Sequence, residues 1–293
     1  MKKVISLLLI LAMSVVVSAC FRRDELEDVV IYTTVFPIEF LTQVLYGYNS
    51  EVLSIYPDGV DVREYTLTDK QIRDFSEAAI FVYNGLSRER EIARSFINNN
   101  RNMRIIDVAY GLRYTHAVEE LWLSPNNFLM LATTIRNNLQ EYITNKYIRE
   151  EIQANYVEKL EGPLSQMDAD LRRIGRLSGE DGNNTLIVSS VVFRFLENYG
   201  FNVIVLDDED NLTPNNLSAI KNNFDSEAYK YIFLRSDEEE SDLIKDLVAN
   251  HNAEVIVFNI MSNISDEDRR ANETYFTFMN INIENIRMAT MGR

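Results

Sequence analysis

Eight short runs rich in β-branched and aromatic residues lie along the chain in two groups of four, separated by a long stretch without strand character. The first group is Val29 to Thr33, Ser50 to Tyr56, Ala79 to Asn84 and Met103 to Ala109. The second is Thr185 to Ser190, Phe201 to Asp207, Tyr229 to Arg235 and Ala253 to Asn259. Helical periodicity fills the gaps: Pro37 to Tyr48 with its proline in the first turn, a helix capped by Thr68 that reaches Ala78, and another ending near Ile97. In the second group one helix opens at Thr213-Pro214 and the last runs from Ser265 towards Met288. Strands separated by helices must be crossed over rather than folded back, which gives largely parallel sheets covered by helices. Between the groups, Ile148, Ile152, Tyr156, Leu160, Leu164, Met167, Leu171 and Ile174 recur every three or four residues and lay one apolar stripe along a long helix. Gly162-Pro163 should bend it, because proline removes a backbone donor, and the loop from Ser178 to Asn184 ends it. The chain therefore reads as α/β, two α/β lobes joined by a single long backbone helix. The expected divisions are an N-terminal lobe over 29–126, a helical region over 127–178 and a C-terminal lobe over 185–293. In such a pair, ligands sit where loops at the carboxyl ends of the strands face each other across a crevice.

The N-terminus carries an address. Lys2 and Lys3 precede an apolar run from Val4 to Val17, too short to span a hydrocarbon layer of roughly 30 Å. Val17-Ser18-Ala19-Cys20 resembles a bacterial lipobox, so residues 1–19 read as a lipoprotein signal peptide and Cys20 as the acylated first residue of the mature chain. Residues 20–28 (CFRRDELED) read as a charged tether to the membrane, placing the protein outside the cytoplasm on the bacterial cell membrane. Cys20 is the single cysteine among 293 residues, so no internal disulfide or thiolate metal cluster is available. There are 29 Lys+Arg against 45 Asp+Glu, a formal net charge of -16, which opposes nucleic-acid binding. No G-x-S-x-G, phosphate-loop, dinucleotide-binding or H-E-x-x-H pattern is present, so the reading is of a binding protein and not an enzyme.

Several local sequences then point one way. Pro57-Asp58-Gly59-Val60-Asp61-Val62-Arg63-Glu64-Tyr65-Thr66-Leu67-Thr68 has the form of P-x-G-x-D-P-H-x-Y-x-P-T. Phe81-Val82-Tyr83-Asn84-Gly85-Leu86 is a strand and turn of the same kind. Glu120-Leu121-Trp122-Leu123-Ser124-Pro125 corresponds to H-x-W-L-D-P, Tyr199-Gly200-Phe201 to Y-G-L, and Tyr275 to Ile286 to a closing Y-x-x-M-M-x-x-N helix. In this order and spacing the chain resembles the zinc/manganese-binding solute-binding lipoproteins of bacterial ABC transporters. That resemblance implies zinc or manganese as cargo, a membrane permease as partner and a monomer. It also implies four cation-ligand positions, which fall on Arg63, Glu120, Ser189 or its neighbour, and Asn259.

None of the four is histidine and only Glu120 is a carboxylate. Guanidinium stays protonated and has no lone pair to offer a metal. The expectation is an altered or lost metal site in which Arg63 replaces the cation and pairs in bidentate fashion with Glu120, while Ser189 and Asn259 complete the hydrogen bonding. The two histidines do not repair the set: His116 reads as a solvated loop residue rather than a displaced ligand, and His251 as a residue after a helix end. The acidic run Ser236 to Asp242 reads as a solvated helix start, Tyr32 to Val35 as strand packing or cleft lining, and Trp122 as part of the wall between the lobes. A second reading keeps the scaffold and drops transport, leaving a surface interaction or adhesion lipoprotein.

Overall fold

The structure is a computed structural model that describes residues 23–207 and 212–292. Residues 1–19, read as a signal peptide, and Cys20 lie outside the described residues. Two four-stranded parallel sheets are present. In the first, β1 (Val29–Thr33), β2 (Ser50–Ser54), β3 (Ile80–Tyr83) and β4 (Arg104–Asp107) take the order β2-β1-β3-β4. In the second, β5 (Thr185–Val188), β6 (Asn202–Val205), β7 (Tyr231–Arg235) and β8 (Glu254–Phe258) take the matching order β6-β5-β7-β8. All eight expected strands form, each inside the stretch read from sequence. Every pairing is parallel, with Thr33 opposite Ser54 and Arg235 opposite Phe258, so the carboxyl ends of neighbouring strands stay level.

Helices α1 (Phe36–Tyr46), α2 (Asp69–Phe75) and α3 (Glu89–Asn99) cover the first sheet, and α2 opens with a complete capping box between Thr68 and Gln71. Short α4 (Glu120–Leu123) leads into α5 (Pro125–Tyr142). The backbone helix follows as α6 (Lys146–Asn155), a π-helical segment at Tyr156–Glu161, and α7 (Gly162–Glu180). The bend anticipated at Gly162-Pro163 takes the form of this widened turn, because Pro163 has no N–H for the preceding turn and the carbonyls there pair one residue further on. All eight residues of the apolar stripe are buried, and they carry one continuous apolar core from the first lobe into the second. A smaller cluster around Phe224, Ile232 and Leu247 fills the outer side of the second sheet.

The C-terminal lobe departs from expectation in two places. The segment after β5 is a 3-10 helix, Val191–Tyr199, ended by Gly200 at φ 92, where only glycine is comfortable. After α8 (Pro214–Asp225) and α9 (Asp242–Asn250), the closing helix expected from Ser265 is two helices, α10 (Asp266–Arg270) and α11 (Tyr275–Met291). Asn272 at φ 58 breaks the run, and Thr274 starts the second helix with its own capping box.

Part of the stretch read as a tether packs into the fold. Asp24 and Leu26 are 6% and 1% exposed. The Asp24 carboxylate accepts from the Thr144 and Asn145 amides and the Thr144 hydroxyl, and the Tyr46 hydroxyl donates to the Leu26 carbonyl. A charged sequence alone does not reveal that one of its carboxylates caps the turn between α5 and α6. No helix among the described residues is long and apolar enough to cross a membrane.

Candidate functional site between the lobes

Because both sheets are parallel and level, their carboxyl ends present loops to each other across the space beside the backbone helix. From the first lobe come Asp61, Arg63 and Glu119. From the second come Ser189 after β5, Arg235 at the end of β7, Asp237 and Glu238 just beyond, and Asn259 after β8.

The centre of this cleft is Arg235. Its side chain is 10% exposed and its guanidinium is answered from both lobes. Nε and Nη2 donate to the two Asp237 carboxylate oxygens, each at 2.8 Å, and Nη2 also donates to Glu119 Oε1 at 3.2 Å. Glu238 Oε2 stands 4.0 Å from Nε and accepts from the Ser189 hydroxyl at 3.1 Å. Burial works against the charge on Arg235, but Asp237, Glu119 and Glu238 outweigh it and hold the guanidinium more firmly protonated than a free arginine. Burial is also what lifts the Glu238 carboxyl above the usual carboxylate range, against the opposing pull of Ser189 and Arg235.

Arg63 belongs to the same network but not in the expected way. It clasps Asp61 of its own loop through Nε and Nη2, both at 3.1 Å, and it reaches across the cleft to the Asp237 carbonyl at 3.0 Å and the Asp237 carboxylate at 3.6 Å. The hydrogen bonds from Arg63 hold the Asp61 carboxyl below its ordinary value. The expected Arg63–Glu120 pair is absent. Glu120 instead accepts from the backbone amides of Thr115, His116 and Ala117 at 3.0, 2.7 and 3.1 Å. Three amide donors satisfy this carboxylate locally, so it has no need of a guanidinium. Its neighbour Glu119, one residue earlier, turns to the cleft.

Ser189 is buried after β5 and bonded to Glu238, not to Arg63 or Glu120. The Asn259 side chain accepts from the Met261 amide at 2.8 Å and shapes a turn in which Met261 takes φ 59. His116 is exposed, and His251 sits beyond α9 with Nδ1 3.0 Å from Asp225. Tyr32 packs its ring on Phe75, at 4.5 Å between centroids, within the first lobe. Trp122 does join the lobes, its indole N–H donating to the Ile260 carbonyl at 2.8 Å.

Residues missed in sequence are therefore Arg235, Glu119, Asp237 and Glu238. Asp237 and Glu238 belong to the acidic run that reads as a solvated helix start, yet only its later part, capped by Ser241, starts a helix. The available signal was positional: Arg235 closes a buried strand run, at the carboxyl end where cleft residues belong.

Further contacts tie the lobes. The Arg269 guanidinium holds Glu39 through two bonds of 2.8 and 2.9 Å and Asp58 through two of 2.6 and 2.8 Å. Asn263 donates to the Pro57 and Val60 carbonyls, beside an interlobe groove of ≈ 290 Å³ that Asp61 and Asp237 also line.

A transition metal would need imidazole, thiolate or free carboxylate donors. Among the described residues no group of three or more His, Cys, Asp and Glu is placed to hold a metal ion. The carboxylates of the cleft converge on guanidinium groups.

The scaffold is nonetheless a known one. The zinc-binding protein AdcA of Streptococcus pyogenes serotype M3 is 21% identical over 300 residues, which are 89% of this chain and 56% of that protein. The chain thus spans little more than half the length of that relative. The manganese-binding lipoprotein MntA of Halalkalibacterium halodurans is 21% identical over 238 residues, 75% of this chain and 77% of that protein. Among solved structures, the metal-dependent lipoprotein YcdH of Bacillus subtilis aligns with a TM-score of 0.75 at 18% identity, covering 90% of this chain and 100% of that one. The Zn(II)-bound ZnuA-like domain of Streptococcus pneumoniae AdcA aligns with a TM-score of 0.72 at 18% identity, covering 90% and 99%. The sequence pattern of one family matches residues 31–289, nearly all of the two-lobed body, and by that match the chain belongs to the ZnuA family, zinc-uptake complex component A, periplasmic.

Proposed function

We propose that this chain is the extracytoplasmic, lipid-anchored solute-binding component of an ABC uptake system, built on the zinc/manganese receptor scaffold but with an altered cleft that does not take the metal its relatives are named for. Family membership supports a binding protein that hands a ligand to a membrane permease rather than an enzyme. The observation that carries the altered cleft is Arg235, a buried guanidinium ringed by Glu119, Asp237 and Glu238. A divalent ion placed there would meet a fixed positive charge in a partly desolvated space, where repulsion at about 4 Å amounts to roughly 4 kcal/mol or more per unit charge.

The test is metal analysis of protein purified without chelators, together with thermal unfolding in the presence of zinc, manganese and small carboxylate anions. A ligand specific for the folded state, at about 100 times its dissociation constant, stabilises by about 2.7 kcal/mol. No metal should co-purify and neither metal should shift the midpoint. Stoichiometric zinc or manganese that Glu119→Ala removes would overturn the reading. The lobes bridged by charge pairs also favour a second reading, a surface interaction or adhesion lipoprotein that keeps the scaffold without transport. Neighbouring permease and ATPase genes decide for transport, and an isolated gene for the second reading.

A further inference from the structure

Arg235 occupies the cleft in a particular way. A cargo cation in a two-lobed receptor draws acceptors from both sides onto one positive centre. Here the positive centre is covalently part of the second lobe. It reaches Glu119, 116 residues earlier in the chain, at 3.2 Å, while Asp237 at 2.8 Å and Glu238 at 4.0 Å close the other side. Asp237 in turn receives Arg63 from the first lobe. The positive charge is thus compensated across the interface, and separating the lobes takes Glu119 from Arg235 and Arg63 from Asp237, leaving Arg235 only the partners of its own lobe. A half-closed arrangement would be worse than a fully joined or fully solvated one, because a singly paired buried ion keeps its desolvation cost and loses its Coulomb return. Trp122, hydrogen-bonded to the Ile260 carbonyl across the same interface, has a polar N–H that would pass from that carbonyl to water on separation.

We propose that Arg235 is a built-in surrogate for the cargo cation, a tethered guanidinium that keeps divalent ions out of the cleft and holds the two lobes together without any bound ligand. The inference rests on the interlobe cleft being the ligand site of this scaffold, and it assigns that site a resident cation.

Small-angle scattering and Trp122 emission test it on the whole mature chain. The wild type should keep one radius of gyration and one emission maximum in zinc, in manganese and in chelator. Arg235→Met keeps the length of the side chain and removes its charge. It should increase the radius of gyration and red-shift Trp122 while unfolding remains cooperative, and it should bind manganese at least about tenfold more tightly than the wild type, once the fixed charge is gone. Glu119→Gln, which leaves Arg235 with its partners in its own lobe, should open the lobes as well and carries the test if Arg235→Met does not fold. A wild type that changes shape with zinc or chelator overturns both this inference and the altered cleft. A metal-indifferent wild type whose Arg235→Met and Glu119→Gln variants stay closed overturns the surrogate role alone.

Discussion

At the scale of single residues, the most unusual group is Glu89, at the first turn of α3. It is 4% exposed and accepts from the Asn84 amide at 2.9 Å. Burial, the dominant influence, pushes its carboxyl up to about 7 from 4.5, against the pull of that amide bond. The folded protein therefore holds a proton that the unfolded chain releases between those two values. The contribution of Glu89 to stability should be flat below pH 4.5, fall as pH rises towards 7, and stay at the lower level above it. The whole fall is at most about 3 kcal/mol. Glu89→Gln keeps an acceptor for Asn84 and should abolish this fall, so that in urea unfolding the variant is the more stable protein above neutrality and no more stable than the wild type in mild acid. Sequence gave no notice of Glu89, since a glutamate opening a helix is ordinary. Its burial comes from the strand ends packed around it, among them Tyr83 and Asn84. Glu120 teaches the converse. The resemblance of its motif assigns it a place in the cleft, but the partners it takes are backbone amides of its own loop, and loop geometry is not written in residue types.

At the scale of elements, the backbone helix is where sequence was most informative and where packing is least forgiving. Its stripe of Ile148 to Ile174 was readable because period and burial coincide on a helix that packs along one side. Gly175, one residue past the stripe, was not singled out. A β-carbon there would lie 1.9 Å from the Tyr199 carbonyl oxygen, so the helix backbone touches the end of the Val191–Tyr199 segment directly. Gly175→Ala gains helix propensity but forces the two elements apart, and a net loss of about 2 kcal/mol is expected in denaturant unfolding. The same substitution at Gly179, whose nearest neighbour is an Asn184 side-chain nitrogen at 3.7 Å, should be neutral or slightly stabilising and serves as the control. The split of the last helix into α10 and α11 was missed because Ala271 to Thr274 contains no proline or glycine. The break is made by an asparagine in the left-handed region, a choice that local propensity permits but does not dictate.

At the scale of the whole molecule, the question is what joins the lobes. Arg269, in the short α10, joins them through four hydrogen bonds to two carboxylates of the first lobe. Glu39 and Asp58 hold it more firmly protonated than a free arginine, the hydrogen bonds to Glu39 contributing most. Glu39 is 8% exposed, so Arg269→Ala leaves a nearly buried carboxylate unpaired. Its loss should cost about 2 to 4 kcal/mol, discounted from a fully buried pair because Arg269 itself is partly solvated. Calorimetry should show the midpoint falling, and Glu39→Gln combined with Arg269→Ala should recover part of the loss, since the uncompensated charge is then gone. The alternation of eight strand runs with helices, and one apolar stripe at helical spacing, by themselves determined two parallel α/β lobes on a backbone helix, because hydrophobic periodicity is a local property that burial then enforces. The family resemblance was also legible in the motifs along the chain. Only the tertiary structure decided what fills the cleft, because the partners of a charge depend on which side chains arrive in the same small volume. Glu119 and Arg235 are separated by 116 residues and meet only when two sheets face each other. Arg63 and Glu120, which sequence had paired, each find nearer partners and do not meet.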